Sequence, residues 1–532
     1  MKGKYIFPIR IMDSIKIENK ERLLVEKLVQ AGFSERECCK IKKGGYVLLD
    51  FGREICGEVV ITTQTVSEEK AMCRIVFGES VMEALSTIGV KNATNDHSVR
   101  DMQVQLVNMS NMRFGNTGFR FVKVEALNAD LTIKNICAEA DIKDIEYKGS
   151  FECNDELINK IWKTGAYTVH LNMHDYVWDG IKRDRLVWIG DMHPEVSTIK
   201  AVFGYDDSVP NSLDFAKSET PPDQWMNGIP TYSMWWIMIH YDWYMQNGNI
   251  EYLKEQQEYM TKLVRCASEW IKEKTPREGM DLFVDWNSFG FSDISEPGVY
   301  AIFALGMEAA EKIFNILEDE DMARLCKKTR EAILQMKHNV PDYKQIAALC
   351  ALAGIKQETV INEEILSRNP IDGLSTFLGY YTLNARAKAG DMTGALDVIR
   401  RYWGAMLKLG ATTFWEDFDI SWTENAAGID EIVPEGKTDI HGDFGKHCYK
   451  QFRHSLCHGW ASGPTAFLSQ KVLGIEILEP GCKKVRINPD LGDLEWVKGT
   501  YPTPFGNIEV EHRKDNDEVI SKIAVPSGIQ LV

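Results

Sequence analysis

Three carboxylates, two arginines, a lysine and a tryptophan fall in the thirteen residues Asp179-Gly-Ile-Lys-Arg-Asp-Arg-Leu-Val-Trp-Ile-Gly-Asp191. An amphipathic helix spreads its charges along a solvated face. Here acids bracket a short apolar run, Leu186-Val187-Trp188. Two acids beside an aromatic platform suit cleavage of a glycosidic bond, in which one carboxyl protonates the leaving oxygen and the other activates water or attacks the sugar. The same residues also read as a salt-bridged helix start with Asp191 capping the helix that follows, and residue types alone do not separate the two. A second acid cluster is Gly410-Ala-Thr-Thr-Phe-Trp-Glu-Asp-Phe-Asp419. Its run from Thr412 to Trp415 can bury the stem of Glu416 and aim the carboxylate. A third segment, Arg453-His-Ser-Leu-Cys-His-Gly-Trp-Ala-Ser-Gly-Pro464, places His458 beside Gly459 at a loop-to-helix entry. A lone histidine is more often structural than catalytic, yet this one is placed to bind a hydroxyl or orient a carboxylate.

Thirteen of the fourteen tryptophans lie between Trp162 and Trp460, so the aromatic platforms belong to the same part of the chain as the acids. Trp188 is near Asp184 and Asp191, Trp286 follows Asp285, and Trp415 precedes Glu416. About half of the tryptophans are expected in core packing. An indole in a polar loop beside acids has another use, because the C–H face of a sugar stacks on it while carboxylates bind the hydroxyls.

The elements that must position these residues change character twice. Residues 1–148 hold short β-type runs such as Tyr46–Phe51, Gly57–Thr63, Cys73–Phe77 and Phe119–Glu125, punctuated by Gly, Asn and Asp, the pattern of an antiparallel sandwich. From about 154 the period is helical. Helices are expected near 154–173, 191–204, 229–247, 250–274, 297–317, 319–336, 343–354, 371–389, 392–408 and 455–473. That is too many for a four-helix bundle, and the long intervening segments 175–190, 276–296 and 410–452 are candidates for functional loops. Strands return from about 478, in a tail too short to be stable alone and expected to pack on the helical part. The domains are therefore 1–148, 149–477 and 478–532.

The chain has 532 residues and a net charge of −17, with 44% apolar and 26% charged residues. These values fit a globular protein of several domains and argue against nucleic acid as a partner. No stretch of ~18 apolar residues suggests a membrane span, and Met1–Lys16 holds no continuous apolar segment of the secretory kind. The twelve cysteines are scattered and read as reduced thiols of a cytoplasmic protein. No C-x-x-C pair, H-E-x-x-H or phosphate loop appears. No metal or cofactor is expected; acid-rich loops could hold calcium, but no regular calcium loop is present.

The three acid and histidine segments resemble those of the α-L-rhamnosidases of glycoside hydrolase family 78. That family carries a segment of the type D-x-P-x-R-x-E-R-x-x-W-x-G-D, then G-A-T-T-x-W-E, then a histidine in S-x-x-H. Here Asp179, Arg183, Asp184, Arg185, Trp188, Gly190 and Asp191 supply the first, Gly410–Glu416 the second and Ser455–His458 the third. Leu48–Gly57 and Gly118–Val124 resemble the family's N-terminal sandwich, and Ile523–Gly528 its closing strands. The resemblance spans nearly the whole chain in the right order. It implies a central (α/α)6 barrel of six helical hairpins between N-terminal and C-terminal antiparallel β-sandwiches. It also implies an inverting exo-glycosidase removing terminal α-L-rhamnose from small glycosides or oligosaccharides, with Glu416 as general base and Asp184 in the place of the general acid. Asp179, Arg183, Trp188, Asp191 and His458 match positions lining the sugar pocket, and Trp286 is matched to a further wall. By analogy, exposed sandwich surfaces support a homodimer.

The family usually has glutamate at the position of Asp184, and the proline usual after the first acid is replaced by Gly180-Ile181. Aspartate reaches roughly 1.5 Å less far. Either the backbone moves inward, or another acid such as Asp191 or Glu195 donates the proton, or the sugar differs. The alternatives in function are another six-hairpin glycosidase, an oligosaccharide lyase, or a carbohydrate-binding protein with a weakened site.

Overall fold

The computed structural model describes residues 4–273, 280–516 and 518–532. The last residue of the helix expected over 250–274, and residues 276–279 of the loop expected over 276–296, lie outside the described residues, as do Met1–Gly3 of the N-terminal segment.

The N-terminal third is antiparallel, as its alternating apolar runs require. Strands β1 (Lys4–Ile6), β2 (Arg10–Glu18), β3 (Cys39–Val66), β4 (Ala71–Gly78), β5 (Asp101–Leu106), β6 (Ser110–Ala126) and β7 (Leu131–Ala140) form one sheet, ordered β1-β7-β3-β6-β4-β5, with β2 paired to β3. β3 runs for 28 residues. Its pairing with β6 shifts register between Asp50 and Ile55, around Gly52 at φ 80°, a conformation that strains any residue with a Cβ. Leu131 pairs with Ile41 near one end of β3 and with Val66 at the other. β3 thus flanks β7 on both sides and closes the sheet over Leu49, Phe51, Ile61, Phe77, Phe119 and Ile133. The short helix α1 (Val81–Leu85) follows β4.

The helical region contains α2 (Glu156–Asn172), α3 (Ile189–Val202), α4 (Ser208–Glu219), α5 (Pro230–Asn247), α6 (Ile250–Glu273), α7 (Ser292–Ile316), α8 (Glu320–Gln335), α9 (Lys344–Ala353), α10 (Glu358–Ile361), α11 (Gly379–Lys388), α12 (Met392–Val398), α13 (Gly404–Lys408) and α14 (Gly463–Phe467). Asp155 caps α2 by accepting from the Leu157 and Ile158 N–H groups. Contacts run from α3 to α5, α7, α9, α11 and α14 in turn, and α14 touches α3, so six helices close a ring. The sequence explains which helices are inside. Every residue of α3 is buried, whereas α6 buries one stripe, Leu253, Met260, Leu263, Val264 and Ala267, and leaves its charged face to solvent.

Several elements differ from the sequence-based expectation. α4 was not expected; Pro210 lies in its first turn, where the missing N–H costs little, but reads in the sequence as a breaker. α7 starts at Ser292 rather than 297 and α11 at Gly379 rather than 371. The helix expected over 455–473 starts late: the chain is extended to His458, turns tightly over Gly459–Ser462, and is then helical from α14, with Pro464 in its first turn, through Val472. α10 was also not expected.

The strand β8 (Ser150–Cys153) precedes the helices in sequence and pairs with the C-terminal strands, while its Phe151 and Cys153 join the apolar core of the helices. A small parallel pair, β9 (Ala426–Ala427) and β10 (Thr438–Asp439), lies in the long segment before His458. The C-terminal strands are β11 (Ile475–Glu479), β12 (Lys484–Ile487), β13 (Trp496–Thr503), β14 (Gly506–Asp515), β15 (Glu518–Ala524) and β16 (Gln530–Leu531). They form sheets ordered β15-β14-β13-β8 and β11-β12-β16. Val485, Val497, Tyr501 and Ile508 share one apolar core with the helices, so the tail is packed on them as its length required. No described helix is long and apolar enough to cross a membrane.

Candidate active site

Three stretches of backbone far apart in sequence lie side by side at the mouth of the helical ring. Glu416 N–H donates to the Ser455 carbonyl and His458 N–H to that of Phe414, while Gly459 N–H donates to Asp179 O. Gly180 bridges His458. A Cβ on Gly180 would stand 2.6 Å from the Arg183 carbonyl and 3.1 Å from His458 Nδ1, so only glycine fits between these strands. Asp179 closes its own loop: its Oδ1 accepts from Leu186 N–H at 3.0 Å and its Oδ2 from Asp184 N–H at 3.4 Å.

All eight residues singled out in the sequence, Asp179, Arg183, Asp184, Trp188, Asp191, Trp286, Glu416 and His458, line one cavity of about 330 Å³. Arg183 joins two of its acids. Its Nη1 donates to Asp184 Oδ1 at 2.8 Å, and its Nη2 to both oxygens of Glu416, at 2.7 Å to Oε2. One planar guanidinium therefore spans both carboxylates, and the oxygens it holds lie within ~8 Å of each other. Glu416 also accepts from Ser455 N–H at 3.1 Å, and its own carbonyl accepts from Thr376 Oγ1 and Trp460 Nε1. Glu416 is buried, as are Phe414, Trp415 and Phe418 of its own segment.

The electrostatics separate the acids. Burial opposes ionisation of Glu416, but Arg183, His458 and His454 outweigh it and hold the carboxyl down at about 2. Burial pushes Asp179 up to about 8, with His458 opposing and Asp184 and Asp191 adding to the shift. Burial also raises Asp191, against the pull of His458, whose Nε2 donates to Asp191 Oδ2 at 3.1 Å. Burial pulls His458 toward neutrality, yet Glu416, Asp191 and Asp179 hold it up at about 9. The cavity thus pairs a firmly ionised carboxylate with a protonated one, near a fixed guanidinium and an imidazolium.

Glu195, the other acid considered from sequence, does not line the cavity. It lies on α3 under Gly459, where neither carboxylate oxygen has a hydrogen-bond partner, and burial pushes its carboxyl well above the ordinary range. The sequence reading missed His97, Tyr232, Phe283, Cys448, Arg453 and Trp460, which also line the cavity. Arg453 and Trp460 stand in the third segment and were within reach of that reading. His97 comes from the N-terminal sheet domain, and no local pattern marks it. Its Nε2 lies 3.3 Å from Asp184 Oδ1. A smaller pocket of about 160 Å³ takes neighbouring residues of the same loops, Asn287, Asp417 and Lys446, beside Trp422.

Among the described residues, one cluster outside the cavity has metal-ligand geometry. Ligand atoms of Glu79, Glu83 and His441 converge within 4.8 Å. The Lys182 ammonium already stands there, 2.8 Å from Glu79 Oε2 and 3.4 Å from Glu83 Oε1.

Comparison with known proteins agrees with this architecture. Residues 146–331 match the family model of the bacterial alpha-L-rhamnosidase 6 hairpin glycosidase domain, and residues 474–531 that of the bacterial alpha-L-rhamnosidase C-terminal domain. An alpha-L-rhamnosidase of Alteromonas sp. (strain LOR) is 25% identical over 468 residues, which cover 77% of this chain and 47% of that protein. The chain thus spans about half the length of this curated relative. The crystal structure of a family 78 rhamnosidase of Bacillus sp. GL1 superposes with a TM-score of 0.75 at 20% identity, over 96% of this chain and 55% of that one. A rhamnosidase from Klebsiella oxytoca, solved with rhamnose bound, superposes with a TM-score of 0.70 at 17% identity, over 88% of this chain and 95% of that one. In its six-hairpin domain, its flanking sheets and its C-terminal domain, the chain resembles the bacterial α-L-rhamnosidases of glycoside hydrolase family 78.

Proposed function

We propose that the chain is an inverting exo-glycosidase that hydrolyses terminal α-L-rhamnose from small glycosides or oligosaccharides. The ring of six helices is read as an (α/α)6 barrel whose mouth holds the reaction, between two β-sandwich domains. The observation that carries the reading is Arg183 spanning Asp184 and Glu416 across a tryptophan-walled cavity. In this reading Glu416, ionised under all ordinary conditions, takes a proton from water as that water attacks the anomeric carbon. Asp184 protonates the leaving oxygen, and Asp179, Asp191 and His458 hold the hydroxyls. The guanidinium shared by the two carboxyls sets an upper limit of about 8 Å on the separation of the oxygens it holds, which admits the roughly 6.5–9.5 Å spacing of an inverting pair. The cavity lies at the lower end of the roughly 300–1,000 Å³ usual for ligand sites, which suits one sugar ring and removal from a chain end. Trp188 and Trp286 offer apolar faces for that ring.

Most cysteines are buried thiols. On that ground the protein is read as cytoplasmic, acting on short imported substrates.

The test is release of nitrophenol from an aryl α-L-rhamnoside, set against a panel of other aryl glycosides and a uronate oligosaccharide. Turnover of the rhamnoside alone supports the reading. Activity on another glycoside would keep the site and discard the sugar; rising ultraviolet absorbance with the uronate would indicate a lyase; binding without turnover would indicate a lectin-like protein.

A further inference from the structure

The hydrolysis proposed above asks Asp184 to give up a proton in every cycle. Two cationic or potentially cationic side chains touch its Oδ1. Arg183 donates at 2.8 Å, and His97 Nε2 lies at 3.3 Å. A guanidinium does not release its proton in a protein, whereas an imidazolium does so near neutral pH. His97 lines the same cavity and keeps about 29% of its side chain exposed, enough to exchange protons with solvent.

The fold delivers this imidazole from another domain. His97 sits between β4 and β5 with φ 66°, a conformation uncommon for a residue with a side chain. Both neighbours in sequence are fastened to the catalytic loops. Asp96 Oδ2 accepts from Arg453 Nη2 at 2.7 Å, and Ser98 Oγ donates to the Lys182 carbonyl at 2.8 Å. Lys182 immediately precedes Arg183 and Asp184, so the anchor on Ser98 ties the His97 turn to the acid's own loop. The charged groups facing His97 are Asp96, with Nε2 to Oδ1 at 3.4 Å, and Asp184; Arg453 and Arg183 stand behind them.

We propose that His97, lent by the N-terminal sheet domain, supplies the proton that Asp184 passes to the leaving group. The inference rests on the glycosidase reading. Asp184 gives its proton to the glycosidic oxygen as the C1–O bond breaks. Water forms the new C1–O bond and sheds its proton to Glu416. The Asp184 carboxylate then recovers a proton from the His97 imidazolium, the imidazole takes one from solvent, and Glu416 returns its own to solvent. His97 acts through Asp184, and it gives the shorter aspartate a partner on the open side of the cavity.

The experiment compares the full chain with His97→Asn, Asp184→Asn and the double variant on two substrates, an alkyl α-L-rhamnoside with a poor leaving group and 4-nitrophenyl α-L-rhamnoside with a good one. Only the poor leaving group needs protonation. The expected result is a loss of kcat of roughly 10–100-fold on the alkyl glycoside for His97→Asn, at least ten-fold larger than on the aryl one. The double variant should be little worse than Asp184→Asn alone, since the two residues act as one unit. Equal losses on both substrates, or multiplicative losses in the double variant, would overturn the role of His97 while leaving the glycosidase reading intact. Calorimetric binding of L-rhamnose to His97→Asn, expected within a few fold of the unaltered chain, separates the proton role from collapse of the pocket. No turnover of either substrate by the unaltered chain would overturn the glycosidase reading and this inference with it.

Discussion

Lys182 and Arg183 are neighbours in sequence and enter two different worlds. Lys182 turns into a sealed cluster at the junction of the sheet domain and the helical ring. Its ammonium meets Glu79, Glu83 and the carbonyls of Phe452 and His454, beside Arg100 and His441. Arg183 turns the other way, into the cavity, and meets Asp184 and Glu416. Both sites bury carboxylates with cations. In the first, the partners are mostly on the protein and the cluster ties two domains together. In the second, the acids are held around open space. Buried charge alone therefore does not mark a functional site; charge arranged around a cavity does.

The comparison makes opposite demands on the two sites. The largest effect belongs to the cavity: Glu416→Gln should lower kcat/KM on an aryl rhamnoside by roughly 10²–10⁴-fold, with an unchanged far-ultraviolet circular dichroism spectrum. Retention of more than about a tenth of the activity would take the base away from Glu416. Next comes the sealed cluster. Lys182→Met leaves Glu79 and Glu83 buried without their ammonium and should cost about 3–5 kcal/mol in urea unfolding. A cost under ~1 kcal/mol would show that the junction does not depend on that charge.

A pH series sharpens the contrast. The carboxyl of Asp179 is held up to about 8, above its unfolded value near ~3.9. Its contribution to stability is fully present below about 4 and is lost as pH rises through about 8. The unaltered chain should therefore lose stability relative to Asp179→Asn across that window, because the amide never has to ionise in a buried place. Parallel stability curves for the two proteins would contradict the assignment. The smallest effect is expected at Glu195→Gln. Its carboxyl is held protonated under Gly459 and away from the cavity, so activity should stay within ~3-fold. A loss above ~100-fold would move the proton donor there.

Much of the site was legible in the sequence because its residues are concentrated in three short segments, and residue type within each segment points to its chemistry. Their assembly was not. The pairing of Phe414 and Glu416 with Ser455 and His458 is a matter of backbone hydrogen bonds between segments, which no periodicity reports. The roles of Lys182 and His97 were hidden for the same reason: Glu79 and Glu83 lie about a hundred residues from Lys182, and His97 reaches Asp184 only once the sheet domain has docked. Helix positions followed the apolar period where it was strong, as in α6, and failed where proline or glycine obscured it. Pro210 hid α4, and the helix expected from 455 begins only after the extended stretch through His458, with a tight turn at Gly459 before it.

Asp184 and Glu416, as proposed, act as acid and base on opposite sides of one sugar ring. Proton magnetic resonance of the first rhamnose released from an α-L-rhamnoside, before the anomers equilibrate, reads this out. The β-anomer should appear first and the α-anomer only later, by mutarotation. Release of the α-anomer first would mean that a carboxylate attacks the sugar itself, and would contradict the assignment of Glu416 as a base acting through water.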